Sequence, residues 1–166
     1  MNHWFIDVFL HPGEVQFGDE HTRIRTLLGS CVAVTWWQPK DKTGCMCHYL
    51  LPQRLEGNRP SARHPLDARY AEEAFTIVYD HIKATGHHPK SYQVKLFGGS
   101  YQLINDAQPL SNTGNNNIEF GLSWLKQQQF IINEQHIAGH GYRNIIFDIS
   151  NGQVSVKFQS YIRLNS

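Results

Sequence analysis

The 166-residue chain is short of charge: Asp, Glu, Lys and Arg make up 17% of it, against about a quarter in an ordinary globular protein. Fifteen basic and fourteen acidic side chains leave a formal net charge of +1. With no basic block or arm, the electrostatic footprint for nucleic acid is missing. Nothing approaches the ~18 consecutive apolar residues of a membrane span. The opening MNHWFIDVFLHPGEVQFG lacks the cationic start, apolar middle and small-residue cleavage site of a secretory signal. The expectation is a cytoplasmic protein with no direct membrane insertion. Cysteines number three, an odd count that argues for free thiols over a disulfide framework. Also absent are the paired CxxC of a structural zinc site, the GxSxG of a serine hydrolase and an internal repeat. FGGS is too short and too poor in lysine for a phosphate-binding loop, which makes Gly98 and Gly99 structural residues.

What is present suffices for one core: 40% apolar residues, 12% of the chain aromatic, point to a single domain over residues 1–166. After an HPGE turn at His11–Glu14, Val32–Trp37 and Cys45–Leu51 read as two antiparallel strands joined by PKDKTG. Gln53–Pro65 has no apolar period and reads as a mobile surface loop. Ala71, Ala74, Phe75, Val78 and Ile82 recur at helical spacing within Asp67–Ala84, with Asp67 as N-cap and Gly86 just past the end. YQVKLFGGS is a strand ending where two glycines allow a tight turn or a close backbone approach. Ile118, Leu122 and Leu125 mark a shorter helix, weakened by Gly121, with asparagines before it as caps. NIIFDISNGQVSVKF reads as a hairpin turning at Asn151-Gly152, and SYIRL could add an edge strand. The mixture suggests α+β, helices covering a largely antiparallel sheet.

One stretch carries chemistry. TLLGSCVAVTWWQPKDKTGCMCHYLLP sets Cys31 behind a Gly-Ser pair and His48 seventeen positions later. A thiol with its usual pKa of ~8.5 needs a cationic or dipolar neighbour to become a nucleophile. Histidine can hold the thiolate as an ion pair and then return a proton to a leaving amine. Gly29 and Ser30 permit a sharp turn whose N–H groups could face an oxyanion. Spacing alone leaves a second reading open: a cysteine beside VAV is a small core residue and His48 an ordinary strand histidine. If Pro39–Thr43 form the turn, His48 lies opposite Val34 or Thr35, and Cys31 is roughly 10 Å or more further on unless it lies in a bent loop.

Cys45, Cys47 and His48 could make a metal or redox site, with His21, His87 and His88 as further donors. On a strand, however, the two thiols share one face and His48 takes the other. No metal and no cofactor are expected. Tyr49, Trp36 and Trp37 could rim a substrate slot or simply pack.

Taken in order, HPGE, TLLGSCVAV, the CHYLLP histidine, the helix before KLFGGS, and AGHGYRNIIFDISNGQVSVK resemble the chemoreceptor glutamine deamidase family, CheD, from about His11 to Lys157. The resemblance implies a compact α/β sandwich and a cysteine-dependent amidohydrolase, a protein-glutamine glutaminase. Its substrates would be glutamines on the cytoplasmic helices of methyl-accepting chemotaxis receptors, some relatives also hydrolysing glutamyl methyl esters. It implies Cys31 as nucleophile, His48 as base and acid, and Thr26 as the orienting third member, with Ser30 and Thr35 as other hydroxyls nearby. It also implies a CheC-type phosphatase as a partner. A non-enzymatic adaptor for receptors or the phosphatase, with Cys31 kept for packing, is the alternative. Relatives carry an IGxRN-like stretch where this chain has NTGNNN, Asn112–Asn117, and GG where it has GHG, Gly139–Gly141; Arg143 remains. These departures bear on the substrate surface and the partner set.

Overall fold

The computed structural model describes residues 4–55, 65–101 and 112–161, which form nine strands and two α-helices. In chain order these are β1 (Ile6–Phe9), β2 (Val15–Gly18), β3 (Thr22–Leu28), β4 (Val32–Gln38), β5 (Thr43–Tyr49), α1 (Ala71–Thr85), β6 (Gln93–Gly98), α2 (Thr113–Gln127), β7 (Ile132–Ile137), β8 (Gly141–Asp148) and β9 (Gln153–Ser160). A 3₁₀ turn at Pro89–Ser91 leads into β6. The strands form two sheets, ordered β1-β3-β8-β9 and β2-β5-β4-β6-β7. The sequence suggested helices covering a largely antiparallel sheet, which the structure matches roughly. There are two sheets, and the β1–β3 and β6–β7 pairings are parallel.

Burial patterns fix the layering. β3 and β8 alternate buried with more exposed positions, as strands covered on one face do. β4 and β6 are buried almost throughout, so the five-stranded sheet is the middle layer. On one side Val32, Val34, Trp36, Cys45, Cys47 and Tyr49 pack with Phe75, Val78, Ile82, Ile118 and Leu125 of the helices. On the other, Ala33, Met46 and Phe97 meet Ile24, Leu28, Ile145 and Phe147 of the four-stranded sheet. The arrangement is α+β, an α/β sandwich.

Helix α1 carries the expected apolar stripe, with Glu72 and Glu73 in its first turn, Lys83 in its last and Gly86 at a left-handed φ of 79° closing it. Asp67 is not its cap. The N-cap is Tyr70, and the Asp67 carboxylate instead accepts from the Arg69 N–H at 3.0 Å in the turn before. Helix α2 begins five residues earlier than Ile118, so Thr113–Asn117 lie inside it and its N-cap, Asn112, makes no side-chain capping bond. Gly121 is required there: a Cβ on it would lie 2.6 Å from the Tyr49 hydroxyl. The β8–β9 hairpin forms as read, but Asp148 pairs with Gln153 across four loop residues, and only Gly152 of Asn151-Gly152 has positive φ, 75°. Strand β9 continues through Ser160; SYIRL beyond Tyr161, and most of Gln53–Pro65, lie outside the described residues.

Candidate active site

Chain direction brings the candidate residues together at a seam. Strand β3 belongs to the four-stranded sheet and β4 to the five-stranded one, and Gly29, Ser30 and Cys31 form the whole connection between them. Thr26 is on β3, with its side chain buried between the sheets at 2% exposure. His48 is on β5 at 1% exposure. Cys31, at the crossing point, is half-buried and packs on the inter-sheet core.

The register of β4 with β5 differs by one position from the expectation. Gln38 pairs with Thr43, leaving Pro39–Lys42 as the loop, and His48 lies opposite Ala33 rather than Val34 or Thr35. Opposed residues share a face, so His48 points with Ala33 and Met46 toward the second sheet, away from Cys45 and Cys47. Cys31 precedes Val32, which pairs with Tyr49, and therefore stands diagonally across from His48. Such diagonal neighbours are about 7–8 Å apart at Cα, within reach of a long or aromatic side chain.

Hydrogen bonds set the state of the imidazole. The Thr26 hydroxyl has one proton, and it is donated to the Leu10 carbonyl at 2.7 Å. Toward His48 Nδ1, 2.8 Å away, its oxygen must accept. Nδ1 therefore carries the proton, and Nε2 keeps a free lone pair. That Nε2 is buried and meets no hydrogen-bond partner among the described residues. Of the hydroxyls considered, Thr26 is the one bonded to the ring; Thr35 sits farther along β4, opposite Met46 and Lys95.

Burial lowers the His48 pKa from 6.5 to about 4, opposed by the Glu14 carboxylate of the HPGE turn. That turn is stitched to β5 at this residue, the Gly13 N–H donating to the His48 carbonyl at 2.7 Å and the His48 N–H to the Glu14 carbonyl at 3.1 Å. Burial also raises the Cys31 thiol, against the lowering effect of its own backbone N–H. Both causes disfavour charge and so favour thiol and neutral imidazole over an ion pair.

The connection is held through its carbonyls. Gly29 C=O accepts from the Ser100 N–H at 3.0 Å and Cys31 C=O from the Gly99 N–H at 2.9 Å. Ser30 C=O accepts from Asn117 Nδ2 at 3.2 Å. No described protein group takes up the Ser30 N–H, which leaves it available to an oxyanion. Glycine is needed on the opposing turn: Gly98 has φ 109°, and a Cβ there would fall on the Cys31 carbonyl oxygen. Gly29 itself has open space around a notional Cβ and no positive φ, so its turn does not depend on glycine.

Several residues were not legible as parts of this assembly. Asn117 read as one of a polar tract, yet it is fully buried on α2 and also donates to Leu50 C=O at 2.8 Å. Its place on the stripe of Gly114, Ile118, Gly121 and Leu125 was the available signal. Arg143, 2% exposed, bonds the Ser100 hydroxyl at 2.8 Å, His136 Nδ1 at 2.8 Å and the Ala138 carbonyl at 2.6 Å, bracing the Gly98–Ser100 turn. Trp36 and Tyr49 are not rim residues: both are fully buried under the helices. Trp37 is tied to the Ile149 carbonyl at 2.8 Å. Cys45 and Cys47 are buried on that helix side, with Cys47 pushed up to about 12 by burial. They share no ligand position with His48.

The sequence matches the family model described as CheD chemotactic sensory transduction over residues 50–158. A relative from Pseudomonas savastanoi pv. phaseolicola, named a probable chemoreceptor glutamine deamidase CheD, is 42% identical over 155 residues, covering 92% of this chain and 85% of its own. A second with that name from Dechloromonas aromatica is 40% identical, covering 92% of this chain and 87% of its own. One from Leptospira interrogans is 35% identical, covering 92% of each.

Proposed function

Since the chain belongs to the CheD chemotactic sensory transduction family, we propose that it is a protein-glutamine deamidase acting on chemoreceptors in adaptation, with Cys31 as nucleophile. The observation that carries this reading is the Thr26–His48 hydrogen bond, which fixes Nδ1 as the protonated nitrogen and leaves Nε2 without a partner among the described residues, on a ring whose residue stands diagonally across from Cys31.

The chemistry follows from that polarity. His48 Nε2 takes the thiol proton as Cys31 Sγ attacks the glutamine carboxamide carbon, which displaces the C=O electrons onto oxygen. The Ser30 and Cys31 N–H groups are the donors proposed to hold that oxyanion. Imidazolium, transiently favoured by Glu14 and by the hydrogen bond to Thr26, then protonates the nitrogen, and the C–N bond breaks to release ammonia. Water loses a proton to Nε2 and adds to the thioester. Collapse expels Sγ, which recovers its proton, and leaves glutamate. A glutamyl methyl ester would follow the same route with methanol leaving.

The substrate glutamines are those of the cytoplasmic receptor helices, and a CheC-type phosphatase is the proposed regulatory partner. The test is mass spectrometry of a receptor cytoplasmic fragment incubated with wild type, Cys31→Ala or His48→Gln. Site-specific gain of the glutamine-to-glutamate mass by wild type alone is expected. An unmodified fragment that nevertheless binds the folded protein would replace this reading with the adaptor.

A further inference from the structure

Two carbonyls flank the candidate dyad in the chain: Ser30, immediately before the nucleophile, and Leu50, two residues after the base. Both accept from one atom, Asn117 Nδ2, at 3.2 and 2.8 Å. The β4–β5 ladder ends at Val32 with Tyr49, and the next pair in register would be Cys31 with Leu50. The asparagine amide therefore bridges the two strands just where their own pairing stops, spanning the gap that sets how far apart thiol and imidazole stand.

The rest of α2 is arranged to keep that amide still. Tyr49, between His48 and Leu50, donates its hydroxyl proton to the Asn117 carbonyl at 2.6 Å. A Cβ on Gly114, one turn earlier, would meet the Gly99 carbonyl at 2.5 Å, so the helix start rests directly on the turn that holds Gly29 and Cys31. Of the three carbonyls in the Gly29–Cys31 connection, two are held by backbone amides and only Ser30 by a side chain. Asn117 Oδ1 is meanwhile buried without any partner among the described residues. A side chain present only to fill the helix stripe would be better apolar, since a buried acceptor without a donor opposes folding.

We infer that Asn117 is a positioning residue, an amide clamp that fixes the separation of Cys31 from His48 by joining the carbonyls of Ser30 and Leu50. The inference rests on the deamidase reading for its consequence in catalysis, and on thiol chemistry for a test independent of that reading.

The experiment compares wild type, Asn117→Ala, Asn117→Asp and His48→Gln, each assayed below its melting temperature. The iodoacetamide rate at Cys31, mapped by peptide mass, is followed from pH 5 to pH 9. In parallel, kcat and KM are measured on a receptor cytoplasmic fragment. Misplacing a reacting group by about an ångström costs on the order of 100-fold. Asn117→Ala should accordingly lower kcat about 10- to 100-fold with KM within about twofold, and its alkylation profile should converge on that of His48→Gln. Asn117→Asp has one donor proton for two carbonyls while its carboxyl is protonated and none once it ionises, so it should recover part of the wild-type alkylation rate at pH 5 and resemble the alanine variant at pH 8. A lower melting temperature with wild-type kcat and a wild-type alkylation profile would overturn the clamp. If wild type itself fails to deamidate the fragment, the proposed function fails, and the alkylation profiles still decide the role of Asn117.

Discussion

Thr26 and His48 lie on different sheets, and the 2.8 Å contact between them is a bond whose direction is dictated by a third group, the Leu10 carbonyl, which consumes the threonine proton. The tautomer of the ring is thus decided outside the dyad. Thr26→Val keeps the shape but leaves Nδ1 and the Leu10 carbonyl without their partner, so either ring nitrogen can hold the proton. Activity should fall about 100-fold, the lower end of what a placed general base contributes, whereas Thr26→Ser should retain most of it. Steady-state kinetics of both variants on one receptor fragment make the comparison. Equal losses in valine and serine would dissociate the hydroxyl from catalysis.

The same burial that suppresses imidazolium links His48 to stability. Its pKa is lowered to about 4 in the folded protein, so between pH 6.5 and 4 the unfolded chain binds a proton that the folded one does not. Stability present above pH 6.5 is lost as pH falls through that window, by up to roughly 3 kcal/mol if the shift from 6.5 to about 4 is fully expressed. Urea titrations at pH 7.5, 5.5 and 4.5 on wild type and His48→Gln isolate the contribution as a difference. Parallel curves for the two proteins would contradict it.

Thiol counting separates the three cysteines. Cys31 is half-buried, while Cys45 and Cys47 lie under the helices with pKa values raised by desolvation. A disulfide reagent should therefore titrate one thiol in the native protein and three after denaturation, and Cys47→Ala should leave activity within about twofold while costing about 1 kcal/mol of stability through the small cavity. Native reactivity at Cys45 or Cys47 would show that the helix layer opens readily.

Gly98 is the glycine on which the site depends. Its φ of 109° and the placement of its missing Cβ against the Cys31 carbonyl make Gly98→Ala both strained and obstructive. A loss of about 2 kcal/mol or more is expected, with activity falling further than stability because the displaced atom belongs to the proposed nucleophile's own residue. Gly29→Ala, with open space around it, should melt close to wild type. Circular dichroism melts of the two variants set the contrast.

Helix α1 and the β8–β9 hairpin were readable because their signals are local: apolar residues from Ala71 to Ile82 repeat at helical spacing, and the two runs around Asn151-Gly152 alternate. The split into two sheets was not. Alternation reports that Thr22, Ile24, Thr26 and Leu28 face inward, but not against which sheet, and the Gly29–Cys31 turn between β3 and β4 does not show that the chain changes layers there. The β4–β5 register was missed by a single position, although His48 was rightly set on the face opposite Cys45 and Cys47, because the Pro39–Lys42 loop has no glycine to mark its pairing and gains its turn from Lys42 at φ 50°. Asn117 escaped notice because its helical spacing with Gly114, Ile118, Gly121 and Leu125 shows that it is buried, but not that its amide binds two carbonyls far away in sequence.

The crossing at Gly29–Cys31 also makes competence a collective property. The orienting hydroxyl belongs to one sheet, the ring to the other, and the sulfur to the short stretch strung between them, so no hairpin or half-assembled layer owns a complete set. In a nascent or partly melted chain the proposed nucleophile would lack its base and orienting hydroxyl, so the proposed hydrolysis requires both layers to be closed rather than any one element to be formed.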